Sequence, residues 1–176
     1  MAVRKLVLYP DPLLHTVSKP VEDFDDPDFQ TLVDDMKDTV LATGGVGLSA
    51  IQVGVPLRVM IVIDTHPLNP EVIINPEILG FDGVQTINEG CLSVPGVFEN
   101  RQRAQTVHTR YQLRNGEVFE HTFTDLEAFC FQHELDHLEG RVFVDDYSPL
   151  KKKRARDKII KTARTFSRNP DLQGAY

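Results

Sequence analysis

Cysteine is scarce in this chain: Cys91 and Cys130 stand far apart among 176 residues, and no Cys-x-x-Cys pairs them. That makes a disulfide framework a poor reading and a reducing cytoplasm the expected compartment. Long apolar runs are missing too. The opening Met1-Ala2-Val3-Arg4-Lys5-Leu6-Val7-Leu8 has only a short apolar stretch before Tyr9-Pro10-Asp11-Pro12, so neither a signal peptide nor a membrane span is expected. No repeat, low-complexity segment or interdomain linker is visible, and after Glu139 the chain has no glutamate.

What is present is ordinary globular material, 41% hydrophobic and 26% charged, in a length that suits one domain with a self-sufficient core. One domain over 1–168 is expected, with 169–176 a flexible tail, and a monomer. The net charge of −7 hides an asymmetry: residues 1–150 carry 10 Lys/Arg against 24 Asp/Glu, whereas 151–176 carry 9 against 2. The run Lys151-Lys152-Lys153-Arg154-Ala155-Arg156 reads either as a solvated helix face or as a docking arm for RNA or another polyanion.

Periodicity places the elements. Asp26-Pro27 supplies a cap and a first-turn proline, and Phe29, Leu32, Val33, Met36 and Val40 recur at helical spacing up to Gly44-Gly45, predicting a helix over about 27–42. Arg58–Asp64 is a β-branched strand, and Val72-Ile73-Ile74-Asn75-Pro76 a second one stopped by its proline. Thr106–Leu113 and Glu117–Thr124 flank Arg114-Asn115-Gly116, a hairpin signal. A helix follows over about Asp125–Leu138, ended by Gly140, and Ser148-Pro149 caps a last, basic helix within 149–168 that reaches about Phe166. Strands in runs rather than alternation with helices predict an antiparallel-rich α+β domain.

Within the second of these helices lies Gln132-His133-Glu134-Leu135-Asp136-His137-Leu138-Glu139-Gly140. Two imidazoles four residues apart leave one helix face and can share an ion, while Glu134, turned about a hundred degrees around the axis, can act on water there. The pattern needs a third ligand. Cys130 shares the face but lies about 10 Å along the axis from His137, too far for ligand bonds of roughly 2.0–2.3 Å. A metzincin histidine is absent, because Phe143 stands in its place. A glutamate from a later helix is absent as well, leaving Asp145, Asp146 and Asp157 as formal possibilities. Upstream, Glu89-Gly90-Cys91-Leu92-Ser93-Val94-Pro95-Gly96 is a turn-rich segment able to present a thiolate, and Gly45-Val46-Gly47-Leu48-Ser49-Ala50-Ile51-Gln52 is glycine-rich in a way that suggests tight turning or close ligand contact.

Together, Gly45–Gln52, Glu89–Ser93 and Gln132–Leu138 resemble, in order and spacing, the three motifs of the peptide deformylases. The resemblance spans nearly the whole chain, from Tyr9-Pro10-Asp11-Pro12-Leu13 to Asp146-Tyr147-Ser148-Pro149-Leu150. It implies a deformylase-like α+β fold around a central metal-binding helix. It also implies a metallohydrolase that removes the formyl group from the N-terminal formylmethionine of nascent polypeptides and releases formate. By matching positions the ligands are Cys91, His133 and His137, holding Fe(II), for which zinc, nickel or cobalt can substitute. Glu134 is implied as base and then acid, with the Gln52 side-chain amide and the Leu92 backbone N–H steadying the oxyanion. Substrate contacts are implied at Gly45, Val46, Gly47, Ile87, Glu89, Leu126, Phe129 and Cys130, with His133 beside them, and Glu89 is expected to pair with Arg103. The basic helix over 150–166 is expected to dock on the ribosome.

Two positions depart from common family patterns. Ser49 stands where many relatives have alanine, and Phe98 where some carry a basic residue. Two rival readings remain: a zinc endopeptidase of the His-Glu-x-x-His type, and a basic-tailed RNA- or ribosome-binding protein whose metal is structural.

Overall fold

The computed structural model describes residues 2–65 and 68–168; the tail expected at 169–176 lies outside them. Its elements are α1 (Pro27–Thr43), β1 (Gly47–Ser49), β2 (Val59–Thr65), β3 (Leu68–Asp82), β4 (Gln85–Glu89), β5 (Glu99–Arg103), β6 (Thr106–Gln112), β7 (Val118–Thr124), α2 (Asp125–Leu138) and α3 (Pro149–Phe166), with short 3-10 turns at Pro12–His15 and Ala50–Val53. Five strands form one sheet in the order β1-β2-β3-β6-β7, β4 and β5 form a separate hairpin, and every pairing between these strands is antiparallel. The expected α+β class is the observed one.

The β2 sequence explains the layering. Its alternate residues Val59, Ile61 and Ile63 face a cluster built with Phe29, Leu32, Val33, Met36 and Val40 of α1. Met60 and Val62 face the other way, into a cluster with Ala128, Phe131 and Leu138 of α2 and with Tyr111 and Phe123 of the hairpin. Two-residue alternation sends side chains to opposite faces. An unbroken apolar strand therefore marks a sheet covered on both sides, and α2 lies against β1, β2 and β7.

Local signals set most helix ends. The Asp26 side chain accepts from the Asp28 N–H, Pro27 occupies the first turn, and Gly44 closes α1 in the left-handed region. Gly140, at φ 71°, turns the chain after α2 so tightly that a Cβ there would lie 2.7 Å from the His15 carbonyl oxygen. On α3 the buried residues are Ala155, Ile159 and Ala163, one narrow stripe at helical spacing, so the basic residues face outward. Glu99 of β5 fastens the start of this helix, accepting from the Tyr147 hydroxyl at 2.7 Å and from Lys151.

Two expectations need correction. The second strand does not stop at Pro76 but runs on to Asp82. Asn75 adopts φ 50° and the pairing with β6 shifts between Ile74 and Glu77, so the proline sits at a bulge where its missing N–H costs no ladder bond. The Gln85–Glu89 and Glu99–Arg103 hairpin was not foreseen, because Glu-Asn-Arg-Gln-Arg carries none of the β-branched or aromatic residues that mark a strand.

The α2 helix is held by packing of Phe131, fully buried and stacked on Phe123 at 5.1 Å between ring centroids. Phe131→Ala should lower unfolding free energy by about 3–5 kcal/mol, read as a lower denaturant midpoint at unchanged slope.

Candidate metal centre and active site

One helical turn separates His133 and His137 on α2, and their rings meet edge to face with centroids 4.8 Å apart, both nearly inaccessible to solvent. The loop after β4 delivers Cys91 beside them, its Sγ 3.1 Å from His137 Nε2. One donor atom from each of Cys91, His133 and His137 lies within 4.8 Å of the others. Ligands bound to one ion at a tetrahedral angle stand roughly 3.3–3.8 Å apart, so the cluster needs only small adjustments to close on a metal.

The surroundings are arranged for a cation. Glu89 accepts from His133 Nδ1 at 2.5 Å and from the Arg103 guanidinium at 2.9 and 3.1 Å, and Arg103 also reaches Asp136 at 2.9 Å. Burial works to raise the Glu89 carboxyl, but the hydrogen bonds from His133 and Arg103 outweigh it and hold it down at about 2. With Nδ1–H committed to a carboxylate, His133 turns its other nitrogen inward as a donor. Burial drives His137 well below its usual value, keeping it a neutral imidazole with a lone pair to give. Burial opposes charge on His133 as well, yet the Cys91 sulfur and Glu89 raise it well above its usual value, and a metal cation would meet the same negative surroundings. The expected Glu89–Arg103 pair is present, and Glu89 also orients a metal-ligand candidate, a contact not read from the sequence.

Glu134 stands beside this cluster, buried, with Oε2 lacking a hydrogen-bond partner among the described residues. Burial pushes its carboxyl up to about 7, against the lowering effects of His133 and Ser49. Gly47 exists to admit it: a Cβ at that position would lie 2.6 Å from Glu134 Oε1. The glycine-rich segment is accordingly a short strand and a 3-10 turn in contact with the site rather than a free loop. Gln52 stands behind Cys91, its Nε2 3.4 Å from the sulfur. The Leu92 N–H has no hydrogen-bond partner among the described residues.

A cavity of about 400 Å³ opens beside Cys91, His133 and Glu134. Gly45, Val46, Gly47, Ile87, Glu89, Leu126, Phe129 and Cys130, the positions expected to meet substrate, all line it. Cys130 is a buried thiol pushed up to about 12 by burial, which suits a cavity wall and not a ligand. Phe98 and Phe166 line the same cavity. The sequence had singled out Phe98, whereas Phe166 gave no signal, since a residue at the end of a basic helix reads as solvent-facing. Phe143, which replaces the metzincin histidine, is buried 6.4 Å from the His133 ring, supporting it from behind. Among the described residues, Cys91 is the third member of the cluster, and Asp145, Asp146 and Asp157 take no part. The endopeptidase reading is not favoured.

A family model described as Polypeptide deformylase matches residues 3–153. The peptide deformylase of Alkalilimnicola ehrlichii is 45% identical over 166 residues, 93% of each chain, and that of Bartonella henselae 46% identical over 180 residues, 99% of each. Among solved structures, a peptide deformylase from Legionella pneumophila superposes with a TM-score of 0.87 at 44% identity, covering 96% of this chain and all of the other. A peptide deformylase from Ehrlichia chaffeensis in complex with actinonin gives 0.86 at 37% identity, covering 93% and 99%. Full-length similarity at this level, joined to a Cys-His-His cluster with a buried carboxylate beside it, places the chain in the peptide deformylase family.

Proposed function

We propose that Cys91, His133 and His137 hold the metal of this deformylase, which removes the N-formyl group from newly synthesised polypeptides, and that Glu134 transfers the protons. The observation that carries the assignment is the convergence of Cys91 Sγ, His137 Nε2 and a His133 nitrogen within 4.8 Å, next to a buried carboxylate oxygen without a partner. The ion proposed is Fe(II). One thiolate and two neutral imidazoles suit it, and they suit zinc equally, so the family resemblance supports the choice of iron. When bound, a divalent ion here supplies Lewis-acid polarisation and lowers the pKa of water.

The chain's own groups divide the remaining work. Glu134, kept from full ionisation by burial, takes the proton from water attacking the formyl carbon and returns it to the departing nitrogen. A base with a value near neutrality serves both directions. As the carbonyl oxygen gains charge, the Gln52 amide and the Leu92 N–H donate to it. The methionine side chain occupies the apolar cavity lined by Val46, Ile87, Leu126, Phe129 and Cys130.

The outward face of α3 supports ribosome docking: Lys153, Arg154, Lys158 and Lys161 are exposed, while the body of the chain is acidic. Among the described residues no helix is long and apolar enough to cross a membrane. The bacterial cytoplasm, where nascent formylated chains arise, is the proposed place of action.

Two experiments follow. Glu134→Gln should lower kcat for formate release from a formyl-Met tripeptide by about 10²–10⁴-fold at unchanged metal content; cleavage inside an unmodified peptide without formate release would overturn the assignment. Reversing Lys153, Arg154, Lys158 and Lys161 to Glu should abolish ribosome cosedimentation at low salt while tripeptide turnover stays within about twofold, because none of the four lines the cavity. Unchanged cosedimentation would remove the docking role.

A further inference from the structure

The side-chain amide of Gln52 is gripped at both ends by two serines given no part in the chemistry so far. Gln52 Oε1 accepts two hydrogen bonds from Ser49, from the backbone N–H at 2.8 Å and from the hydroxyl at 2.9 Å. At the other end Nε2 donates to Ser93 Oγ at 3.2 Å and to Cys91 Sγ at 3.4 Å. Ser49 and Ser93 are fully buried and Gln52 is 1% exposed.

These contacts leave the amide one orientation. A backbone N–H can only donate, so the atom facing Ser49 must be the oxygen and the atom facing Cys91 the nitrogen. Turned over, the amide would set an N–H₂ against that donor at a fully buried position. Ser93 and the Cys91 sulfur take one Nε2 hydrogen each, which holds the second hydrogen beside the proposed metal site. The terminal torsion of glutamine is otherwise broad, and an amide free to rotate would have to be ordered in each turnover, whereas a donor already held beside the site needs little reorganisation.

We propose that Ser49 and Ser93 are positioning residues for deformylation, holding the Gln52 carboxamide nitrogen beside the Cys91 sulfur before substrate arrives, so that one of its hydrogens has only to pass from the sulfur to the reacting carbonyl. The proposal rests on Gln52 being an oxyanion donor. Ser93 carries the larger share, because the Ser49 N–H remains when its hydroxyl is removed. Neither serine touches substrate; Ser93 acts through Gln52, and Ser49 through Gln52 and through its contact with Glu134.

The test is a kinetic cycle on the metal-loaded full chain with a formyl-Met tripeptide, using S93A, S49A, Q52A and the two doubles with Q52A. S93A should lower kcat by roughly three- to tenfold with KM within about twofold, and S49A by less. In the Q52A background S93A should not lower kcat further, since the group through which Ser93 acts is gone, whereas S49A keeps only the part that passes through Glu134. A second readout needs no turnover. The Gln52 side-chain N–H₂ should give two resolved, exchange-protected signals in ¹⁵N–¹H spectra of the wild-type protein, and these should converge and exchange faster in S93A. A Ser93 effect of equal size with and without Gln52 would show a general structural role and overturn the proposal, as would unprotected Gln52 hydrogens in the wild type. A Q52A enzyme with normal kcat would overturn the oxyanion reading itself, a different result from either.

Discussion

The buried carboxylate of Glu89 is the group on which the site depends. It ends β4, two residues before Cys91, and is tied to His133 of α2 and to Arg103 at the end of β5. Arg103 in turn reaches Asp136, one turn along α2 from His133, and lies over the Phe129 ring at 5.4 Å from its centroid. A single charge cluster therefore fixes the distance between the hairpin that leads to Cys91 and the helix that carries His133 and His137. Burying such a cluster is costly, and removing one partner strands a charge at roughly 3–5 kcal/mol. Its value lies in register: with Glu89 seated, Cys91 arrives opposite His137 and His133 presents the correct nitrogen.

Around that cluster the fold is a means of bringing three distant segments together. The sheet, covered by α1 on one face and α2 on the other, sets β1 against the metal helix, and Gly47 leaves the gap that Glu134 fills. The loop that follows Cys91 is packed through Val94 and Val97 into the cluster that holds α3 in place. The helix proposed to meet the ribosome and the wall of the substrate cavity thus share one apolar cluster. Opposite charges lie on the two parts, an acidic body and a basic arm, so attraction to a polyanion acts through the arm.

Much of this was legible in the residues. The α2 boundaries follow from its periodicity and Gly140, the hairpin from Asn115-Gly116, and α1 from Asp26-Pro27 and Gly44, because caps and turns are local chemistry. The Cys91, His133, His137 grouping came from the family resemblance; spacing alone left the third ligand open. What could not be read was tertiary. The bulge carrying β3 past Pro76 depends on Asn75, whose side chain exchanges hydrogen bonds with the Val21 backbone fifty-four residues away. The polar β4–β5 hairpin has strand form because α2 and Arg103 hold it, and the need for glycine at 47 exists only once Glu134 is in place. One local sign went unused: Ser49-x-x-Gln52 is the reciprocal capping pattern, and it points the glutamine side chain back at its own turn.

In the proposed metal site Cys91, and not Cys130, is the third ligand, and loading the protein with Co²⁺ tests this most directly. One equivalent should bind with a thiolate-to-cobalt absorption band that is lost in Cys91→Ser and kept in Cys130→Ser. A band that survives Cys91→Ser and disappears with Cys130→Ser would contradict it.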